Sequence, residues 1–286
     1  MDVGWLGWAL LTTAAWGVGT LAAKPATDRL GPRVLFLGVV GTEGATFAVL
    51  GLLLERPAFD ATPAIVAIAL VAGTMGMLGY LMFYEGLRWG SVGLVGTVTA
   101  AYPVVTVGLS VAFLRETLSV AQAAGVALMI LCVVLLALEP GARDGTRRAA
   151  VVLSVVGFLA WGLWGFLAKV SVGAMGEPNL FLFYAIADVF VFGAYFALRK
   201  FPRPAAGGDP RRTRTLALVA IVGGAAGVFF VTFGYGSGPA SLVTSVSGSY
   251  PIVSTLGAAA LLRERLNARI AAALLCFAAG ILLIAF

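Results

Sequence analysis

Long apolar stretches follow one another along nearly the whole chain, separated only by short polar or glycine- and proline-rich segments. Each stretch is close to the roughly 20 residues that an α-helix needs to cross the hydrocarbon core of a lipid bilayer. The pattern therefore predicts an all-α membrane protein with ten transmembrane helices. The predicted spans cover residues 4–23, 34–54, 64–86, 91–114, 118–138, 150–169, 179–198, 215–236, 239–262 and 266–286.

The composition agrees with this prediction and excludes other classes of protein. Hydrophobic residues make up 60% and charged residues 11% of the 286-residue chain, whereas soluble domains carry roughly 25% charged residues. The net charge of +6 comes from basic residues in the short loops, which indicates a topology signal and no nucleic-acid partner. Cys132 and Cys276 lie in apolar runs, which argues against a disulfide framework. We interpret the first apolar run as a permanent span, not a cleaved signal peptide.

The second half of the chain repeats the first. Tyr102-Pro103 returns 148 residues later as Tyr250-Pro251, and Trp16-Gly17 returns 145 residues later as Trp161-Gly162. The repeat predicts two five-helix units, residues 1–142 and 143–286. Because five is odd, the second unit must enter the membrane from the opposite face, and such inverted repeats are typical of transporters with a solute site near the bilayer midplane. An inert membrane scaffold is the alternative.

The region around the first repeated Tyr-Pro pair resembles an EamA domain of the drug/metabolite transporter (DMT) superfamily. A span of small residues carries Pro103, ends in a hairpin at Glu116, and is followed by a last span containing Gly125. The second copy keeps Pro251 and Glu264 but has Ala273 where a glycine would fall, and the resemblance covers the whole chain as two such units. It implies a central cavity lined by spans 1, 3, 4, 6, 8 and 9 and transport of small organic solutes. The expected location is the cytoplasmic membrane of a bacterium.

Pro103 and Pro251 lie near the centres of predicted spans 4 and 9. Proline lacks an N–H group and clashes with the carbonyl of the residue four positions earlier, which is Thr99 or Ser247 here. An unsatisfied carbonyl at this depth should face protein or a water-filled cavity. One interpretation is a polar notch beside Tyr102 and its equivalent; the other is a packing kink satisfied by a neighbouring helix.

Two short Arg-Glu pairs end these spans, Arg115-Glu116 and Arg263-Glu264. We interpret them as structural, with the arginine reaching the interface and the glutamate favouring the N-terminus of the next helix. Lys24 and Lys169 lie near the ends of spans 1 and 6, and for them we also expect side chains that snorkel to the interface.

Three acidic residues are candidates for ion coupling. Glu43 and Asp188 lie near the middles of spans 2 and 7 at equivalent repeat positions, and a carboxylate within the membrane is a functional-site hypothesis by default. They could exchange protons, or they could be hydrogen-bonded groups that hold helices together. Glu85 lies near an interface, where an ion pair with Arg88 is expected.

Aromatic residues in the predicted cavity-lining spans are the candidate solute contacts, because such rings suit apolar, aromatic or cationic solutes. An interfacial aromatic belt is the alternative for the tryptophans. With the hydroxyl and proline positions above, the predicted solute-binding residues are Trp16, Tyr80, Tyr84, Thr99, Tyr102, Pro103, Trp161, Trp164, Tyr235, Ser247, Tyr250 and Pro251.

The function predicted from these features is secondary transport, as an exporter of small organic metabolites or drugs that works by alternating access. A passive channel or uniporter and a membrane enzyme are the alternatives. The chain has no histidine and no sequence pattern for a metal, cofactor or nucleophile–base site, so we expect no enzyme. One chain holds both halves, so a monomer suffices. The positive-inside rule favours termini outside the cytoplasm, since 16 of the 19 basic residues fall on the other side; the resemblance implies cytoplasmic termini.

Overall fold

The computed structural model describes residues 4–137, 145–198, 209–262 and 268–285. Helices account for nearly all of these residues, and the described ranges contain no strand. The twelve helices are α1 Gly4–Leu30, α2 Pro32–Leu53, α3 Pro63–Trp89, α4 Val92–Thr99, α5 Pro103–Phe113, α6 Val120–Ala137, α7 Gly145–Met175, α8 Glu177–Leu198, α9 Pro210–Ser237, α10 Ala240–Ser247, α11 Pro251–Leu262 and α12 Ala268–Ala285.

Six of these helices are long and apolar enough to cross a membrane: α1, α2, α3 and α9 throughout, α7 over Arg148–Met175 and α8 over Glu177–Ala197. Predicted spans 5 and 10 correspond to the shorter helices α6 and α12. Predicted spans 4 and 9 are each broken in two, into α4 and α5 and into α10 and α11. The chain is therefore an all-α integral membrane protein, with the breaks at the two repeated prolines.

Proline and short polar side chains set where many helices begin. Pro32, Pro63 and Pro210 occupy the first turns of α2, α3 and α9, where the missing N–H group costs nothing and the ring fixes a helical φ. The Thr62 hydroxyl accepts a hydrogen bond from the Ile65 N–H, and the Asp209 carboxylate accepts one from the Arg211 N–H. Helices α3 and α9 can therefore begin before their apolar runs, because the capping side chains satisfy N–H groups of the first turn outside the hydrocarbon core.

The longest helices pack as two antiparallel pairs, α1 with α9 and α3 with α7. In the first pair, Trp5 lies beside Gly238 at one end, and Gly19 lies against Gly223 nearer the other end. Under the repeat, α1 corresponds to α7 and α9 to α3, so the second pair is the same pairing with the halves exchanged. Helices α2 and α8 pack together, as do α6 and α12, and each of these two pairs joins equivalent helices of the two halves.

The two breaks correct one expectation from the sequence. The Thr99 carbonyl accepts a hydrogen bond from the Tyr102 N–H at 3.2 Å, and the Ser247 carbonyl accepts one from the Tyr250 N–H at 3.2 Å. A tight turn of this i to i+3 kind satisfies the carbonyls that proline leaves without their usual partner. The expected free Thr99 carbonyl is therefore absent, because the turn before the proline uses it.

Charged residues at helix ends also differ from the expectations. The Lys24 ammonium donates to the Leu87 carbonyl at 2.8 Å and pairs with Asp28 at 2.6 Å. The Lys169 ammonium donates to the carbonyls of Tyr235 and Gly238 at 2.6 and 2.8 Å. Instead of snorkelling alone, each lysine caps the C-terminal end of a helix from the other long pair, where the helix dipole favours a cation.

Glu116 caps a helix as predicted, but not the helix that follows it. Its carboxylate accepts hydrogen bonds from the N–H groups of Ala240 and Ser241, at 2.8 and 3.0 Å. These groups begin α10, so the hairpin of the first half holds the broken span of the second half. The equivalent pair Arg263-Glu264 lies outside the described residues.

Candidate solute-binding site

A cavity of about 440 Å³ lies among α1, α3, α7 and α9, next to the turns that break the two spans. The cavity is predominantly apolar and aromatic, and both halves of the chain contribute to it. Its walls are Trp16, Gly19, Thr20, Ala23, Tyr80, Phe83, Tyr84, Tyr102, Trp161, Trp164, Ala220, Gly224 and Tyr250.

Glycines place the two equivalent tryptophans. A Cβ at Gly227 would meet the indole ring of Trp16, and a Cβ at Gly79 would meet the ring of Trp161. The rings can lie against the backbone because these positions carry no side chain. The Trp16 Nε1–H then donates to the Gly224 carbonyl at 3.2 Å, and Trp161 makes the equivalent bond to Gly76 at 3.1 Å.

The tyrosines before the prolines bond across the repeat. The Tyr102 hydroxyl lies 2.9 Å from Ser247 Oγ, and the Tyr250 hydroxyl lies 3.3 Å from Thr99 Oγ1. Each tyrosine thus bonds the hydroxyl residue that belongs to the other break. Both rings also meet Trp16 edge to face, with centroids 6.2 and 6.0 Å away. The breaks and the cavity wall therefore form one hydrogen-bonded unit.

A second cavity of about 280 Å³ adjoins the first. Trp16, Tyr80, Trp161 and Trp164 line both cavities and stand between them. The second cavity extends toward α2 and α8, where Glu43 and Tyr184 form part of its wall. A carboxylate of span 2 thus reaches the central space, although the resemblance did not place span 2 among the cavity-lining helices.

Glu43 and Asp188 face each other where α2 packs against α8. Their exposed fractions are 0% and 1%, and within the described part of the chain their carboxylate oxygens have no hydrogen-bond partner. The absence of a side chain at Gly44 lets Asp188 approach α2, because a Cβ there would lie 3.2 Å from Asp188 Cβ, closer than ordinary contact. Acids buried without partners are costly, which makes this pair a candidate functional site.

The structure brings together seven of the twelve predicted solute-binding residues as walls of the larger cavity. They are Trp16, Tyr80, Tyr84, Tyr102, Trp161, Trp164 and Tyr250. The other five lie behind this wall. Thr99 and Ser247 hold the two tyrosines, and Pro103 and Pro251 begin α5 and α11.

Tyr235, the fifth of these residues, lies behind Trp164. Its hydroxyl bonds Thr244 at 3.0 Å, and its ring meets that of Trp164 at 6.2 Å. It is placed to support the cavity wall and does not line either cavity.

Glu85 does not line either cavity. It accepts a hydrogen bond from the Tyr195 hydroxyl at 3.4 Å. The expected ion pair with Arg88 is absent from the described residues, because the Arg88 guanidinium lies over the Trp89 ring, 5.0 Å from its centroid. The cation–π contact takes the place of the carboxylate.

Sequence reasoning missed several wall residues. Gly19 and Gly224 were interpretable only as close-packing positions, since a residue without a side chain gives no chemical signal. Phe83 has no polar group that would distinguish it from a packing residue. Tyr184 lies on α8, which corresponds to span 7 and was not expected to line the cavity.

Comparison with known proteins identifies the family. The profile of the EamA-like transporter family matches residues 3–138 and again residues 148–286. An uncharacterized protein of Methanocaldococcus jannaschii is 30% identical over 130 residues, which are 46% of this chain and 93% of the relative. That relative is about as long as either matched segment.

A protein of known crystal structure shares the fold. It superposes with a TM-score of 0.71 at 19% identity, over 97% of this chain and 96% of that one. Together with the two family matches, which cover most of the sequence, this agrees with the resemblance noted from Pro103 and Glu116. The chain belongs to the EamA-like transporter family of the DMT superfamily.

Proposed function

We propose that the protein is a secondary transporter that exports small organic solutes by alternating access. The observation that carries the proposal is the aromatic cavity between α1, α3, α7 and α9, where both halves supply equivalent tryptophans and equivalent tyrosines. Transporters built from repeats bind solutes at the repeat interface, where helices are discontinuous. The family is a transporter family, which argues against catalysis.

The helix pairing supports ten spans in two inverted units, 1–142 and 143–286. In both long pairs the partners come from different halves, and the pairing of α1 with α9 repeats as that of α7 with α3. Rocking one pair against the other would move the walls on opposite sides of the cavity. One chain supplies both pairs, so the proposed working unit is the monomer.

The position of the larger cavity supports export. Its walls come from the later parts of α1 and α3 and from the earlier half of α9, so it lies toward the face opposite the N-terminus. That face carries the excess of basic residues in the sequence, and basic loops favour the cytoplasmic side. In a bacterial cytoplasmic membrane, the cavity would therefore be loaded from the cytoplasm.

We further propose that Glu43 and Asp188 couple transport to protons. The titratable groups that face Glu43 are Asp188 on α8, Tyr80 and Tyr84 on α3, and Tyr184 on α8. A buried carboxylate whose neighbours are another acid and neutral phenols can gain and lose a proton as the cavity changes sides. Without such coupling, the same cavity would act as a passive uniporter.

Solute flux in proteoliposomes tests both parts. Purified protein is reconstituted and assayed for counterflow of labelled amines, amino acids, sugars and aromatic compounds, with Trp161→Ala as the variant that removes a cavity wall. We expect flux of at least one class, which Trp161→Ala abolishes. If no class moves, or if Trp161→Ala transports normally, the proposal fails.

A pH gradient tests the coupling. We expect an imposed gradient to drive net flux and Glu85→Gln to behave like the unmodified protein. Glu43→Gln should abolish the drive, while counterflow measured at saturating solute continues. Flux that ignores the gradient would leave a uniporter and reject coupling at Glu43.

A further inference from the structure

The ionisable side chains of lysine, arginine, aspartate and glutamate are distributed unevenly over the walls of the two cavities. Glu43 is the acidic residue among them, and none of the residues that line either cavity is a lysine or arginine. Asp188 adds a second carboxylate directly behind Glu43. Within the described residues, the buried part of the site therefore contains two acids and no counter-ion.

The nearest lysines on the cavity-lining helices are used elsewhere. Lys24 is bonded to Asp28 and to the Leu87 carbonyl. Lys169 is bonded to the Tyr235 and Gly238 carbonyls at a helix end. Neither can swing to Glu43 without giving up a charge-assisted bond, and such bonds are stronger than neutral ones.

The aromatic walls offer ring surfaces and few free donors. The Trp16 and Trp161 indole N–H groups bond backbone carbonyls, and the Trp164 N–H bonds the Tyr184 hydroxyl at 3.0 Å. The Tyr80 hydroxyl donates to the Gly224 carbonyl at 3.0 Å, and the Tyr250 hydroxyl donates to the Gly96 carbonyl at 3.1 Å. With these groups occupied, a solute meets mainly the rings themselves.

This combination discriminates between solute charges. An anion needs donors or cations, whereas these walls provide a carboxylate and π surfaces. A cation is attracted to aromatic faces within roughly 6 Å of the ring centroid, and this attraction grows when the site is shielded from water. A buried carboxylate adds a counter-ion, and its Coulomb attraction to the cation is strongest when both groups are shielded from water.

We propose that the substrates are monovalent organic cations, amines or quaternary ammonium compounds with an apolar body, and that Glu43 is their counter-ion. The apolar body occupies the larger cavity, and the cationic group lies at the shared wall of Trp16, Tyr80, Trp161 and Trp164, facing the smaller cavity. This inference rests on the proposed transport function and specifies its substrate class.

Binding to the full-length protein in detergent tests the proposal. The probes are benzyltrimethylammonium, the neutral N-benzylacetamide and the anionic phenylmethanesulfonate, measured by titration calorimetry. Quenching of tryptophan emission provides a second readout, because three of the six tryptophans line the cavity. The variants are Glu43→Gln, which removes the charge, Glu43→Asp, which keeps it, and Glu85→Gln as a control away from both cavities.

We expect the cation to bind at least about tenfold more tightly than either other probe. Glu43→Gln should weaken cation binding about tenfold or more, a change of about 1.4 kcal/mol. Glu43→Asp should retain most of the affinity, and Glu85→Gln should retain all of it. Retention in Glu43→Asp also shows that the site tolerates substitution at this position without unfolding.

Several results would overturn the proposal: equal or tighter binding of the neutral or anionic probe, no binding of the cation, or an unchanged cation affinity in Glu43→Gln. The transport function fails separately. Flux of neutral or anionic solutes without cation binding would reject the substrate class and keep the transporter. Cation binding without flux of any solute would keep the cation site and reject transport.

Discussion

Replacing Gly227 by alanine should damage both the stability and the solute site, because Trp16 lies directly against this glycine. An added Cβ would come within 2.7 Å of Trp16 Cε2 and nearer still to the other atoms on that edge, whereas ordinary contact begins at 3.4 Å. The ring must move by about 1 Å, and overpacking of this kind costs about 1–3 kcal/mol. The movement also disrupts the bond from Trp16 Nε1 to the Gly224 carbonyl, worth about 0.6 kcal/mol in membrane proteins.

We therefore expect Gly227→Ala to lower the free energy of unfolding by about 2–3 kcal/mol, measured by denaturation in mixed micelles of detergent and sodium dodecyl sulfate. Gly108→Ala and Gly173→Ala are matched controls, since a Cβ at either position meets nothing within 4 Å. A shifted near-ultraviolet circular dichroism signal should report the displaced indole. If Gly227→Ala is as stable as the two controls, the Trp16 ring does not pack against Gly227.

Three further predictions concern polar contacts between helices. Glu116→Ala removes the acceptor of two backbone N–H groups at the start of α10. Because the acceptor is charged, the free energy of unfolding should fall by about 2–3 kcal/mol. A loss below about 0.5 kcal/mol would contradict the capping role of Glu116. Tyr102→Phe removes the hydrogen bond to Ser247. A double-mutant cycle with Ser247→Ala should show a coupling free energy of about 0.6 kcal/mol. Strictly additive effects of the two substitutions would argue against the bond. Lys169→Met leaves the carbonyls of Tyr235 and Gly238 without their lysine donor. Backbone amide hydrogens at the end of α9 should then exchange faster with solvent. An unchanged exchange rate would refute the capping role of Lys169.

Much of the fold was predictable because membrane helices follow simple rules of length and composition. The predicted span 179–198 differs from α8 by two residues, and the mid-span breaks fall at the prolines that the repeat had marked. Helix ends were less accurate: α1 continues seven residues beyond its predicted span, to Leu30. Hydropathy detects the hydrocarbon core, whereas the helix continues where Lys24 and Asp28 pair near the interface.

Part of the candidate site was predictable because the repeat duplicated it, and Tyr80, Tyr84 and Trp164 were predictable as aromatic residues in spans expected to line the cavity. Trp16, Tyr102 and their equivalents were found because two copies occur at fixed spacing. The partners of Lys24 and Glu116 could not be found in this way, because they lie on helices far away in sequence and are backbone groups. Backbone acceptors and donors carry no side-chain identity, so only the packing of helices reveals them.

The position of Trp164 makes the two halves of the site unequal. Its counterpart in the first half, 145 residues earlier, is Gly19, which lies against the backbone of Gly223. One side of the pseudo-symmetric site thus carries an indole side chain, and the equivalent position on the other side carries no side chain. If the two halves were identical, the two states of the proposed cycle would be related by the pseudo-twofold axis of the repeat and would have equal free energy. The difference between Trp164 and Gly19 is one of several that remove this equality. Under the proposed alternating-access cycle, a difference of this kind between the halves decides which of the two states has the lower free energy when no solute is bound.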